Sequence, residues 1–354
     1  MVVPIAFTDR DRAVCLSLKG GNGLRLISKH LRDLSLLACV WAQSVLVAPV
    51  FAAGPSGGIV SAGSASITQS GSQTTVKQSS DKAVVSWSNF SIGSGSTVRF
   101  VQPSASSIAL NRVTGSQASV LQGLLQANGQ VWVLNPNGVL IAPSGQVAAG
   151  SFLATTRSLT DQQFMAGNYA FIDGGVVGAS AVNQGSIVLA EGGYAVLAGE
   201  AVRNEGYIGA NLGQVILGGA KAFTLDISGD NTFAFVVTAP VDVTPTDGKA
   251  IVDNSSSVQA AGGRVLMTAR AASRVMGQVI NTDGVVAATS AKMVNGKIAI
   301  GGGRPNTQTQ SFTPAASTTI ASGACLDASA VTRGVCRRPS RKDGRQGLPQ
   351  GPYP

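Results

Sequence analysis

The stretch "NQGSIVLAEGGYAVLAG", Asn183–Gly199, is followed at Asn204–Gly219 by "NEGYIGANLGQVILGG". The second copy starts 21 residues after the first. With one deletion, both read Asn-x-Gly-x-Ile and then Gly-x-x-Val/Ile-Leu. "NTDGVVAATSAKMVNGKIAIGGG", from Asn281, repeats the scheme loosely, and "VQAAGGRVLMTA", from Val258, repeats its second half. A period near twenty residues, with two or three short strands in each, marks a solenoid. Leucine-rich repeats share the period, but their Leu-x-x-Leu-x-Leu frame and helix are missing. A parallel β-helix fits: each coil lends short strands to stacked parallel sheets, and small aliphatics fill the tube. Gly and Asn tolerate the positive φ that coil corners demand. The repeat therefore predicts two successive coils, with Ile187 stacked near Ile208.

The rest of the chain has the same texture. "KAVVSW" (82–87), "TVRFVQ" (97–102), "QVWVL" (130–134) and "GRVLMTA" (263–269) are strand-like runs punctuated by Gly, Asn, Asp and Ser. "SVLQGLLQA", Ser119–Ala127, is ambiguous between helix and strand. Between two apolar runs stands Asn135-Pro136-Asn137-Gly138. Pro136 cannot sit in a central ladder, and Asn137-Gly138 suits left-handed backbone, so a tight corner is the economical reading. Asn135 can bond its own backbone or stack on Asn of adjacent coils. Asn135→Ala is then expected to cost less than Gly138→Val. Trp87, Phe90, Phe100 and Trp132 read as core or cap fillers, and the Gly192-Gly193 and Gly262-Gly263 pairs as corners.

Charge is uneven over the 354 residues. The net +9 comes mostly from the ends: +3 in residues 1–52 and +5 in 331–354. Residues 53–330 hold fourteen Lys/Arg against thirteen Asp/Glu. So neutral a body is a poor phosphate binder, and nucleic acid is not an expected partner. Arg25, Lys29, His30 and Arg32 precede the apolar run Leu34–Val47, and "APVFAAG" follows it. That order reads as an export signal over residues 1–52, with cleavage after Ala52. The segment before Arg25 is long for such a signal. No cysteine lies between Ala53 and Gly323; Cys325 and Cys336 sit near the end.

Catalysis finds little support. The one histidine, His30, falls in the signal, which removes Ser-His-Asp and His-metal sites from the mature chain. Carboxylates are spread out: Asp161, Asp173, Glu191, Glu200, Glu205, Asp226, Asp230, Asp242, Asp247 and Asp253 read as solvated turn residues. No cofactor, metal or catalytic residue is expected. Arg112 reads as paired or solvent-facing at a coil edge.

Several ordered stretches together carry a family resemblance. They are "VRFVQPSASSIALNRVTG" (98–115), "LNPNGVLIAPSGQV" (134–147), "GSFLATTRSL" (150–159) and "EGGYAVLAGEAVRNEGYIGANLGQVILGGAKAFTLDISGD" (191–230). Over roughly 57–302 the chain resembles the N-terminal secretion domain of two-partner secretion exoproteins, the filamentous haemagglutinin-like and high-molecular-weight adhesins. The resemblance implies an all-β, right-handed parallel β-helix with N-terminal capping strands, over 53–302. It implies passage through the Sec machinery into the periplasm of a Gram-negative bacterium. There an outer-membrane β-barrel transporter with polypeptide-transport-associated domains would recognise the domain, export it to the cell surface and let it template passenger folding. Asn111, Arg112, Asn135, Pro136, Asn137 and Gly138 match the family's motif positions, as transporter contacts or as shapers of a coil. The alternatives are an adhesin that itself binds host-cell glycans or proteins, or a non-functional truncated fragment; a polysaccharide lyase or hydrolase on the same β-helix is the remoter one. Residues 303–354 read as a passenger remnant and a basic, aperiodic tail, from a truncated or frameshifted gene or as an ordinary basic tail.

Overall fold

The computed structural model describes residues 54–227, 234–272 and 279–287, with short segments at 297–301, 305–306, 311–312, 318–320 and 324–327. The proposed signal (1–52) and most of 303–354 lie outside the described residues. Within them the chain winds as a parallel β-helix on three sheets. Ala181–Asn183 belongs to a seven-stranded sheet, Ser186–Leu189 to a ten-stranded one and Tyr194–Gly199 to a nine-stranded one; Val202–Asn204 then re-enters the first. We call these the short, flank and broad sheets. Each strand pairs in parallel with its counterpart one coil away, and Ile187 lies opposite Ile208 as the repeat predicted.

Alternation within each strand fills the tube. One ladder of the flank sheet runs Thr74, Val98, Leu125, Val147, Ile187, Ile208, Val258, Val286, all buried. Burial of each Leu, Ile or Val contributes about 1.5–3 kcal/mol. Between the flank and broad sheets, Gly129, Gly150, Gly193, Gly213 and Gly263 stack in a column. A Cβ on any of the last four would collide with the carbonyl of the glycine one coil below. The period therefore conserves this glycine because backbones touch there.

The tube's start is closed by antiparallel strands. Ile59–Ala62 pairs against Lys82–Trp87, and Ala65–Ser70 folds as a hairpin onto Gln73–Gln78. These strands stand outermost, so the first parallel strand of the broad and flank sheets is paired on both sides. Trp87, Phe90 and Phe100 are buried in the tube core, as read from sequence.

One ambiguity is resolved, and one element is new. Ser119–Ala127 is not a helix but two strands, Ser119–Leu121 and Leu124–Ala127, in different sheets. Leu121 and Leu125 are spaced as on a helix, yet they reach the same interior from two sides of a bend at Gly123. A short helix, Asp161–Met165, exists where none was expected. Its capping box, Thr160 with Gln163, is a Thr-x-x-Gln signature visible in the sequence. This helix and the antiparallel strands Tyr169–Phe171, Ala222–Asp226 and Ala234–Ala239 cover the outer face of the broad sheet. Trp132, Phe164, Tyr169, Phe171, Phe223 and Phe235 form a second core there.

Candidate functional site at one corner of the tube

Asn-Pro-Asn-Gly turns the chain from the broad sheet strand Gln130–Leu134 into the short sheet strand Val139–Ile141. The Gly138 N–H donates to the Asn135 carbonyl at 3.0 Å, closing a four-residue turn. Of the Asn137-Gly138 pair, only Gly138 takes a positive φ, +118°. Asn137 therefore does not use the left-handed conformation expected of it; its φ is not positive, which excludes the type II turn that Pro136 would also allow.

Asn135 is fully buried and uses both ends of its amide. Its Oδ1 accepts from the Asn137 N–H at 2.9 Å. Its Nδ2 donates to the Gln117 carbonyl at 2.9 Å and the Ser119 hydroxyl at 3.0 Å, both in the preceding coil. Asn137 Nδ2 donates to the Gly115 carbonyl at 2.9 Å. The two motifs, Asn111–Gly115 and Asn135–Gly138, thus form one bonded corner across two coils. Asn135 does not stack on other asparagines. That arrangement occurs instead in the short sheet, where Asn183, Asn204 and Asn254 bond in file at 2.9 and 2.7 Å, continuing to Thr282 at 3.2 Å.

Asn111 and Arg112 point to opposite sides of their strand. Asn111 is buried in the tube, accepting the Trp87 indole N–H at 3.0 Å and donating to the Trp132 carbonyl at 3.2 Å. Arg112 faces outward, pairs with Asp161 and donates to the Leu159 carbonyl at 2.6 Å. It is therefore paired, as one of its two readings had it. Burial works against the Asp161 charge, but the Ser61 hydroxyl and Arg112 outweigh it and hold the carboxyl below its ordinary range.

Sequence reasoning did not single out Arg157. Its side chain is 4% exposed, pairs with Glu200 and donates to the Gly174 carbonyl. It thereby fastens the loop 172–178 over the corner, where the Val176 N–H donates to the Pro136 carbonyl at 2.9 Å. Its partners arrive from later coils, so "TTR" alone does not announce them. Nor are the carboxylates merely solvated. Asp247 pairs with Arg203 at 2.8 Å, Glu205 with Lys249 at 2.8 Å and Asp242 with Lys221 at 2.5 Å. Among the described residues no three His, Cys, Asp or Glu converge as a metal site.

Both motifs thus sit in order on a parallel β-helix. The sequence profile of the TPS secretion domain matches residues 52–311. The chain belongs to this family. A heme/hemopexin-binding protein of Haemophilus influenzae is 32% identical over 253 residues, covering 70% of this chain but 27% of that protein. A second Haemophilus influenzae protein of the same name is 43% identical over 97 residues, which cover 27% of this chain and 10% of that one. The chain thus spans about a quarter or less of the length of these relatives. The HMW1 secretion domain of Haemophilus influenzae superposes with a TM-score of 0.57 at 23% identity, over 78% of this chain and 84% of that one, a likeness of fold. In this TPS secretion domain, the six motif residues split by role. Asn111, Asn135 and Gly138 are buried, and Arg112, Pro136 and Asn137 reach the surface in part.

Proposed function

We propose that the TPS secretion domain is the export-recognition and folding-nucleus part of an adhesin-like exoprotein. The chain crosses the inner membrane by the Sec route, and its signal is removed after Ala52. In the periplasm an outer-membrane β-barrel transporter with polypeptide-transport-associated domains engages it. The observation that carries this reading is the Asn137–Gly115 bond, which joins the two motifs into one corner of a capped tube. A cap at the start and, among the described residues, parallel strands at the other end suit a nucleus onto which further coils wind. We read the domain as non-enzymatic, because Asp161, Glu200, Glu205, Asp242, Asp247 and Asp253 are engaged in ion pairs and no three acids converge among the described residues.

The test is secretion of the full chain in a Gram-negative host, with and without the matching transporter. Release into the medium only with the transporter is the expected result. Equal release in its absence would overturn the reading. Mass spectrometry of the periplasmic chain should find Leu34–Val47 removed.

A further inference from the structure

The corner carries a chemical weakness that its own geometry requires. Asn137 precedes Gly138. An asparagine before glycine is the pair most prone to lose its side-chain amide, because the next backbone nitrogen, unshielded by a Cβ, can attack the asparagine Cγ. Neither half is free to change here. Gly138 sits at φ +118°, and a Cβ on it would lie 3.2 Å from the Ser180 carbonyl. Asn137 Nδ2 donates to the Gly115 carbonyl at 2.9 Å and to Asn135 Oδ1 at 3.2 Å, which joins the two coils. Asn128-Gly129 is fixed in the same way. Gly129 belongs to the glycine column, and Asn128 bonds the Gln102 N–H and carbonyl at 2.8 Å each.

In the folded corner both reacting groups are engaged elsewhere. The Gly138 N–H, whose nitrogen is the nucleophile, donates to the Asn135 carbonyl at 3.0 Å. The amide that would leave is held on the Gly115 carbonyl, and the Asn137 N–H donates to Asn135 Oδ1 at 2.9 Å. The side chain of Asn137 and the backbone N–H groups on both sides of its Cα are therefore all bonded. The turn has to open before the attack can occur, and a reaction through an opened state scales with the population of that state. An unfolded chain has none of these restraints.

We propose that Asn137 is a modification site that folding closes, and that its modification before folding bars the corner from forming. The Gly138 nitrogen gives up its proton to solvent and bonds to the Asn137 Cγ. The bond from Cγ to Nδ2 breaks, and ammonia leaves with a proton taken from solvent. Water then opens the cyclic imide to an aspartyl or isoaspartyl residue. Nothing is oxidised or reduced, and water is the one co-reactant. An aspartyl oxygen would stand where Nδ2 now donates, an acceptor facing the Gly115 carbonyl and Asn135 Oδ1. An isoaspartyl link adds a methylene to a turn closed by a single 3.0 Å bond. A chain left unfolded too long is thereby spoiled at its motif. In export, where the chain crosses membranes before it folds, the reaction limits how long a stalled chain stays productive. That bearing rests on the transporter recognition proposed above; the chemistry does not.

Ageing the purified full chain in mildly alkaline buffer, either folded or unfolded in urea, tests it. Mass spectrometry should find Asn137 modified about tenfold faster or more in urea. After dilution from urea, the refolded fraction should be depleted of chains modified at Asn137 relative to the unsorted material. Asn137→Asp should lower the melting temperature and transporter-dependent release together. Asn168→Asp, which adds the same charge at an exposed position, should change neither. Equal rates in the folded and unfolded chain would overturn the site while leaving transporter recognition standing. So would a refolded fraction as modified as the whole, or an unchanged melting temperature for Asn137→Asp. Release of the wild-type chain without a transporter would remove the bearing on export and leave the chemistry.

Discussion

Asn135 shows how much one side chain can hold. Four hydrogen bonds run from its amide or to it, including the 3.2 Å bond from Asn137 Nδ2, and none faces water. Asn135→Ala strands the Gln117 carbonyl and the Asn137 N–H, which costs about 2–4 kcal/mol. Gly138→Val forces a β-branched residue to φ +118° and brings its Cβ to 3.2 Å from the Ser180 carbonyl, a cost of about 1–3 kcal/mol. The alanine is therefore expected to cost at least as much as the valine, where the sequence alone predicts a smaller cost. Denaturant midpoints of the two variants check this, and export should fall in step with stability for both. Leu212 offers the opposite case. It is the one non-glycine at positive φ among the described residues, at +56°, where the neighbouring coils place Gly192 and Gly262. Leu212→Gly should stabilise by about 1 kcal/mol; a lower midpoint would mean that its side-chain contacts outweigh the strain. Pro136 and Gly138 announced the turn because their constraints are local. Asn135's partners belong to the preceding coil, and no local pattern shows them.

The cover over the broad sheet is held to the tube by polar pins around an aromatic centre. Arg112 and Ser61 hold Asp161 at the start of the short helix, and Lys82 donates to the Phe164 and Met165 carbonyls at its end. The same ammonium lies 5.2 Å from the Tyr169 ring centroid. Asp161 is held below its ordinary 3.8, Glu205 below 4.5 by Lys249 and Gln184, and Asp247 below 3.8 by Arg203. A depressed carboxyl stabilises the fold above its unfolded pKa and loses that contribution as pH falls through the folded value. Thermal stability should therefore be level near neutrality and drop below about pH 4.5. Asp161→Asn should be less stable at pH 7 and show a shallower acid slope; an unchanged slope would show that Asp161 is not a contributor. Little of this cover was legible in advance. The capping box was there to read, but five helical residues leave no periodicity, and Trp132, Tyr169, Phe223 and Phe235 meet only through the fold.

The tube itself was legible because its constraint recurs. Stacked glycines and inward aliphatics impose the same demand on every coil, so the sequence repeats what the backbone requires. Coils touch only their neighbours, and stability is close to a sum of local terms. Ile187→Ala should open a cavity costing about 2–4 kcal/mol. Amide exchange should quicken in the coils beside it, through 139–155 and 202–219, while the antiparallel start at 59–78 keeps its protection. Uniform loss along the chain would show a single cooperative block instead. The asparagine file adds a feature that the aliphatic ladders lack. Asn183 donates to Asn204, Asn204 to Asn254 and Asn254 to Thr282, always in one sense. At the near end Ile141 lies opposite Asn183, whose Oδ1 finds no donor; at the far end Thr282 lies opposite Ile320. The amide dipoles consequently add, with carbonyls toward the antiparallel start and N–H groups toward the later coils. An amide turned over within the file would press oxygen against oxygen and N–H against N–H, so each asparagine locks the orientation of the next and the file polarises the tube.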